Sequence, residues 1–293
     1  IGAGPAGITA AIYAVRKRVE ALIITKDIGG QTALSGDVEN YTGYQFISGP
    51  ELVLKFEEHL RKFNIALKEN DSVRIVEKTG PFIQVKTDKA IYEAKSVIIA
   101  SGKRSRELNV PGEKEFKNKG LTYCATCDGP LFSGKDVAVI GGGNSALDAA
   151  AQLIRIASKV YIVNIAPELT GDAVMREAVQ GSDRVSVLNN TNVEEVLGGR
   201  MVSGIRIKKN GAQSLLSVQG VFVEIGLIPN SDFTSGIDKN NSGEIIVDTH
   251  NETNIPGIFA AGDVTDVPEK QIVIAAGEGA KAALGVFKYL IYH

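Results

Sequence analysis

Cysteine, histidine and long apolar runs are scarce in this chain, and each shortage removes a class of protein. The 293 residues hold two cysteines, Cys124 and Cys127, too few for a disulfide-stapled extracellular scaffold. The three histidines, His59, His250 and His293, are widely scattered. With no second cysteine pair, the four ligands of a structural zinc site are not on offer. Apolar stretches are strand-length or interrupted by charge, so no segment reads as a membrane span. Lysine and arginine number 32 against 34 acids, a formal charge of −2 with no basic run, which argues against nucleic acid as a partner. A chain that is 44% apolar and 23% charged is globular, and this length suits one large domain or two ordinary ones.

The two cysteines sit together in Cys124-Ala125-Thr126-Cys127-Asp128-Gly129. Two thiols at this spacing can close a small disulfide ring and open it again, and clustered backbone N–H groups can lower one thiol's pKa so that it attacks as a thiolate. The alternatives are a short structural disulfide, two inert buried thiols, or a metal site. A labile dithiol suits a reducing cytoplasm. Fourteen residues beyond Cys127 begins Gly141-Gly142-Gly143-Asn144-Ser145-Ala146, a glycine-rich turn of the kind that cradles a dinucleotide.

A second such turn stands at the very start, Gly2-Ala3-Gly4-Pro5-Ala6-Gly7, without the strand that ordinarily precedes it. Residues missing upstream are the expected reason. Gly2 and Gly4 allow a tight turn and close backbone approach, and Gly7 lets the following helix pack on a sheet. A helix is expected over Pro5–Arg18, then a buried strand Ala21–Thr25. The ribose-binding acid expected about 20 residues after the glycines is absent, since Thr25-Lys26 end the strand, which weakens an NAD reading at this turn and leaves another dinucleotide such as FAD open. A helix is expected over Pro50–Phe63, short strands near Val73–Glu77, Phe82–Val85 and Ala90–Ala94, and an apolar strand, Val97–Ala100, ending in Ser101-Gly102. Pro111-Gly112-Glu113 reads as a linker.

The same plan then repeats. Strand Val137–Ile140 leads into the glycine turn, helix Ser145–Ile156 and strand Val160–Val163. Short strands follow near Val185–Leu188, Val193–Val196 and Ile205–Lys208, before Val221–Ile225 closes on Gly226. Two glycine turns with matching surroundings make an internal duplication and imply two dinucleotides. The C-terminal Gly257–Val264 and a helix over Gln271–Leu290 complete the first unit. The fold class is therefore α/β.

Taken in order, Gly2–Gly7, Gly29-Gly30-Gln31, Glu39-Asn40, Cys124–Gly129, Gly141–Ala146 and Ala260-Ala261-Gly262-Asp263-Val264 resemble the low-molecular-weight thioredoxin reductase family over essentially the whole chain. Ile165–Leu169 and Lys270–Lys281 are similar in particular to the flavoprotein component of alkyl hydroperoxide reductase. The resemblance implies two Rossmann-like three-layer nucleotide-binding domains, the second inserted into the first. Residues 1–112 and 238–293 would form the FAD domain, and residues 113–237 the NAD(P)H domain carrying the cysteines. FAD would be held by Gly2, Gly4, Pro5, Ala6, Gly29, Gly30, Gln31, Asn40, Ser101, Gly102, Gly262, Asp263, Lys270, Gln271 and Ile272, with Ser101 where the family usually has Thr. Gly141, Gly143, Asn144, Ser145, Asn164 and Gly226 would hold NADH or NADPH.

By the same resemblance Cys127 would face the flavin, Cys124 would attack the partner's disulfide, and Asp128 would act as acid or base. The inserted domain would rotate about joins near Pro111–Glu113 and Ser235–Asp238. Family members using NADPH carry a His-Arg-Arg run with a further Arg downstream. Here that place reads Asn164-Ile165-Ala166-Pro167, with Thr170 at the later position. With no guanidinium for a 2′-phosphate, NADH is expected, Asn164 being left to hydrogen-bond a ribose diol. A thioredoxin-like or glutaredoxin-like protein, or a peroxiredoxin, is the implied acceptor, and a cytoplasmic homodimer the implied state. Three functions remain open: a thioredoxin reductase-like enzyme, the core of a peroxide-detoxifying reductase, and a low-turnover FAD-binding thiol sensor.

Overall fold

Val137, Ala138 and Val139 are fully buried, which a strand achieves only when both faces of its sheet are covered. The computed structural model describes residues 1–35 and 37–292, and of Leu34, Asp37 and Cys127 the backbone alone. Strand Asp136–Ile140 lies in an all-parallel sheet ordered Leu121–Thr122, Gly220–Val223, Asp136–Ile140, Lys159–Val163, Val185–Leu188. Helix Asn144–Leu153 covers one face, setting Ala146, Leu147, Ala150 and Leu153 against Val137, Val139 and Phe222. An antiparallel meander, Thr191–Gly198, Val202–Lys209 and Ala212–Leu216, covers the other through Val193, Val196 and Ile205. These three layers form one compact unit, Ser105–Leu227.

The other unit, Ile1–Arg104 with Ile228–His293, repeats the plan. Ala66–Lys68 pairs in parallel with Leu22–Ile24, and Ile258–Ala260 with Val97–Ile99. Between the pairs, the Gly2 N–H donates to the Ile24 carbonyl, and the Ala100 N–H donates to that of Ile1. Helices Pro5–Arg16 and Ile272–Tyr292 pack together on one face. They approach so closely that a Cβ on Gly279 would stand 2.0 Å from the Ala6 carbonyl oxygen. The meander Val73–Thr79, Phe82–Thr87, Ile91–Ala94 brings Val76, Ile83 and Val85 against Ile24, Val97 and Ile258.

The duplication read from the sequence is thus present as two α/β units, the second inserted into the first. Element limits differ by a few residues for identifiable reasons. The first helix stops at Arg16 because Arg18 is left-handed, at φ 58°. The next runs Gly49–Arg61, started by a capping box in which Ser48 and Glu51 satisfy each other's backbone N–H groups. Among the described residues no helix is long and apolar enough to cross a membrane.

The joins also fall elsewhere than expected, at Arg104/Ser105 and Leu227/Ile228. Pro111–Glu113 belongs within the second unit. Its Pro111 carbonyl accepts the Val196 N–H, and a Cβ on Gly112 would stand 2.1 Å from the Val196 carbonyl oxygen. Glu113, 2% exposed, accepts from the Leu108 and Asn109 N–H groups at 2.6 Å each. Ile237, in the other expected join, is buried in the core of the first unit. A proline-glycine pair marks a turn, but these side chains anchor it.

Candidate functional site

In the first unit the helix Pro5–Arg16 begins at Gly4, whose backbone is extended and which has no side-chain cap. Its first N–H groups are therefore open to an anion, favoured there by the helix dipole. Gly2, at φ 98°, turns so tightly that a Cβ would stand 2.3 Å from the Ala100 carbonyl oxygen. Gly29 and Gly30 are also left-handed, and a Cβ on Gly30 would stand 3.7 Å from the Gly4 Cα. Two glycine turns thus face each other with no side chain between them. Gly102, at φ 62°, likewise opens on empty space. Such a backbone-lined cradle fits the pyrophosphate of a dinucleotide such as FAD.

The other expected residues of this unit gather nearby through long-range pairs. Asn40 Nδ2 donates to Gln271 Oε1 at 3.0 Å, and Gln31 Nε2 to the Lys103 carbonyl at 3.3 Å. Ser101 Oγ is engaged with the Asn230 carbonyl at 2.6 Å. Gly262, at φ 78°, packs on Ala6, and Ile272 is half-buried against the Val38, Ile47 and Leu52 cluster. Burial pushes the Asp263 carboxyl up, opposed by the charges of Lys270 and Lys103.

Those two lysines converge on Glu244, at 2.9 Å from Lys103 and 3.1 Å from Lys270. Burial alone would raise the Glu244 pKa, but hydrogen bonds from Lys103, Asn240 and Lys270 bring it to about 2. Of this cluster only Lys270 was singled out from the sequence. Lys103 and Glu244 stand 141 residues apart and carry no local signal.

The second glycine turn is built alike, with differences. Gly141, at φ 139°, is pressed on the Glu224 backbone, where a Cβ would meet the carbonyl oxygen at 2.2 Å. Gly143 starts helix Asn144–Leu153 with extended backbone and no side-chain cap, and a Cβ there would come no nearer than 3.9 Å to Thr170 Oγ1. Asn144 and Ser145 are exposed on the first turn, and the Asn144 amide is paired with Asp172. Gly226, at φ 97°, opens on empty space.

Asn164 departs from expectation. It is 3% exposed, and its Nδ2 lies within hydrogen-bond distance of the Ala166 and Glu168 carbonyls and of Asn189 Oδ1. Its Oδ1 accepts the Ala166 N–H, and Gly142 leaves room for the side chain. The amide shapes its own loop, so the ribose-diol role does not fit it. Ile165, by contrast, is 75% exposed, and Glu168 and Thr170 face solvent.

The dithiol motif lies in the same unit. Residues Ala125–Asp128 make one helical turn, with the Asp128 N–H donating to the Cys124 carbonyl at 3.3 Å. Cys124 and Asp128 are half-buried; the Cys127 side chain lies outside the described residues. The preceding Tyr123 donates to Glu113 at 2.7 Å, and its pKa is pushed up by burial and by that carboxylate. Thr126 Oγ1 donates to Gln152 Oε1 at 2.8 Å, and Gln152 Nε2 to Asp148 Oδ2 at 2.9 Å. A chain of side chains therefore runs from the cysteine turn along the helix that starts at Gly143. Glu224 shares that side of the sheet, its pKa raised to about 8 by burial and then by Asp148. A lone acid inside the apolar run Val221–Ile225 was the sequence signal that could have singled it out.

Comparison with known proteins agrees with this geometry. Residues 1–279 match the pyridine nucleotide-disulphide oxidoreductase family. Among curated proteins, an NADH dehydrogenase of Bacillus subtilis is 43% identical over 99% of this chain and 58% of its own length. An alkyl hydroperoxide reductase component of Pseudomonas putida is 43% identical over 99% of this chain and 57% of its own. The chain thus spans between half and two thirds of these relatives. Among solved structures, the thioredoxin reductase of Lactococcus lactis superposes with a TM-score of 0.89 at 35% identity, covering 100% of this chain and 98% of that one. That of T. acidophilum gives 0.86 at 37% identity, covering 99% and 97%. Sequence, two-unit architecture and paired glycine turns together assign the chain to the pyridine nucleotide-disulphide oxidoreductase family.

Proposed function

We propose that the chain is an FAD-dependent reductase that takes electrons from NADH or NADPH and passes them through Cys124 and Cys127 to the disulfide of a thioredoxin-like protein. The observation that carries this reading is the pair of capless glycine-bounded helix starts, with the cysteine turn in the same unit as the second. Two such turns would serve two dinucleotides, and the cysteine turn shares its unit with one of them.

In this reading FAD binds across Gly4 and Gly30, within reach of Asn40, Asp263, Gln271 and Ile272, and supplies the two-electron carrier that regenerates the dithiol. The pyridine nucleotide binds across Gly143, its adenosine arm towards the loop 164–170. Cys124 attacks the acceptor's disulfide as a thiolate, forming a mixed disulfide and releasing one acceptor thiol. Cys127 then attacks Cys124, which frees the second thiol and leaves the enzyme's pair oxidised. Asp128 exchanges the proton that this cycle moves. The domain rotation that brings the dithiol and the nucleotide in turn to one site would use the joins at 104/105 and 227/228. A cytoplasmic homodimer goes with this reading.

NADH is favoured because residues 164–170 present no guanidinium, while Ile165 and Glu168 face solvent. Arg176 is half-buried and donates to the Leu169 carbonyl at 3.2 Å. A second reading, the core of a peroxide-detoxifying reductase with a peroxiredoxin as final acceptor, is favoured by one observation. The relatives named as alkyl hydroperoxide reductase components are 42–43% identical, against 35–37% for the two thioredoxin reductases compared above. The test is steady-state NADH oxidation by yellow, FAD-loaded protein with either thioredoxin or a peroxiredoxin and peroxide. Turnover with thioredoxin supports the first reading and turnover with peroxiredoxin alone the second. A colourless protein that FAD cannot reconstitute overturns both.

A further inference from the structure

Glu224 occupies a place that the chemistry above does not use. It follows strand Gly220–Val223, which lies between the strand leading to Cys124 and the strand leading to Gly141. The carboxyl edge of such a sheet is where ligands bind in doubly wound folds. Phe222 points to the face covered by helix Asn144–Leu153. Strand alternation returns Glu224 to that face, one step beyond the apolar cluster. The side chain is half-buried, with no hydrogen-bond partner among the described residues.

We propose that the Glu224 carboxyl pairs with the carboxamide of a nicotinamide nucleotide seated on the second glycine turn. The proposal rests on the nucleotide reading of that turn given above. Direction along the sheet edge selects the nicotinamide end. In this fold the ribose of the adenosine half meets the end of the strand after the glycine helix, here Lys159–Val163 and its loop. The other half of the nucleotide then extends to the opposite side of the glycine strand, where Gly220–Val223 ends, and towards the cysteine turn.

A carboxylic acid and a primary carboxamide are complementary. The acid O–H donates to the amide carbonyl while the amide N–H donates to the acid carbonyl, a two-bond pair that a carboxylate cannot complete. Burial and Asp148 hold the Glu224 pKa at about 8, so the group carries its proton at neutral pH. Asp148 is the charged group that faces it from the helix. The neighbouring strands present Ile140 and Gly141 on one side; on the other, Leu121 and Thr122 pair with Val221 and Phe222, so that the register carried on past Thr122 brings Tyr123 and Cys124 to the level of Glu224. As pH rises through 8 the donor is lost, and a negative charge appears beside Asp148 and the nucleotide's diphosphate.

The test is calorimetric titration of the FAD-loaded protein with 1,4,5,6-tetrahydro-NAD, whose neutral ring keeps the carboxamide and gives no hydride, and with ADP-ribose, which lacks the ring. For the wild type, tetrahydro-NAD affinity should fall by about tenfold between pH 7 and 9.5, the effect of one good buried hydrogen bond, while ADP-ribose affinity stays level. Glu224→Gln can still form the amide pair, so it should bind as tightly as wild type at pH 7 and lose the pH dependence. Glu224→Ala should bind tetrahydro-NAD about tenfold more weakly at pH 7 and ADP-ribose normally. Asp148→Asn, by removing the like charge, should move the fall to lower pH. A level wild-type profile, or the same fall in Glu224→Gln, would overturn the proposal and leave the nucleotide site standing. Failure of both ligands to bind would remove the nucleotide site and the proposal with it.

Discussion

Gly4 and Gly143 each start a helix with extended backbone and no side-chain oxygen, yet their surroundings diverge. Gly4 looks across at Gly30, so a ligand there is gripped by backbone from two sides, with Lys103 and Lys270 close to Asp263. Gly143 has only the Thr170 hydroxyl at a distance, Gly142 is filled in behind by Asn164, and two acids, Asp148 and Glu224, lie nearby. One backbone device, duplicated, has been given a two-sided backbone setting and a one-sided one with acids nearby. The first suits a ligand that stays, the second a ligand that comes and goes.

The sharpest way to break that comparison is to block each turn in turn. Gly4→Val should give colourless protein, since the side chain fills the approach to Gly30, whereas Gly143→Val should stay yellow and lose reduction of its flavin by NADH. Absorbance at the flavin band and stopped-flow mixing with NADH read the two outcomes. Loss of flavin in Gly143→Val would show that the turns are not independent.

Next in size is the dithiol, which belongs to the second unit alone. Cys124→Ser and Cys127→Ser should each lower disulfide reduction by at least about a hundredfold, because the two sulfurs act as one unit. Reduction of the flavin by NADH should persist in both. Undiminished disulfide reduction in either variant would mean that the motif is not catalytic.

A smaller effect is expected at the loop beside the second turn. In the unmodified protein kcat/KM for NADH should exceed that for NADPH by about tenfold, or 1.4 kcal/mol. Ile165→Arg with Ala166→Arg should reverse much of it by supplying guanidinium groups for the 2′-phosphate. Asn164→Glu should unsettle the loop, because the Asn164 amide holds three neighbours. An unaltered donor ratio in the double arginine variant would place the choice outside this loop.

The smallest is a stability effect in the first unit. Glu244 has its pKa depressed to about 2, so its contribution is present above the ordinary glutamate range and is lost as pH falls towards 2. Glu244→Gln should lower Tm by a few degrees (about 1 kcal/mol) at pH 7, and the gap to wild type should close on acidification from about pH 4.5. A constant gap across that range would assign the loss to packing rather than to the lysine pairs.

The two glycine turns were legible in the sequence because close backbone approach and positive φ leave few residues able to stand there, and the repeat made each vouch for the other. Three features were not. Asn164 looked like a free polar group at a strand end, and only the folded loop shows its amide consumed by local carbonyls. Lys103, Glu244 and Lys270 meet across long stretches of chain, so no period or spacing announces them. Pro111-Gly112 carries a turn's composition, but the buried Glu113 turns that segment into part of a unit instead of a boundary. Side-chain hydrogen bonding, unlike backbone geometry, depends on partners that a linear reading does not bring together.

Discontinuity of the first unit also bears on how the chain is made. Residues 105–227 are contiguous and hold their own sheet and both covering layers, so they can fold while the ribosome is still at work. Strand Val97–Ile99 must wait for Ile258–Ala260, and helix Pro5–Arg16 for helix Ile272–Tyr292. The Ala6 side of helix Pro5–Arg16 therefore stays without its partners Ala275, Ala282 and Val286 until those residues have been made. Closure over so long a separation is slow compared with local pairing. A ribosome stalled before helix Ile272–Tyr292, but far enough on for residue 227 to have cleared the exit tunnel, would then display a finished second unit tethered to an unfinished first, which makes that helix the step that closes the first unit.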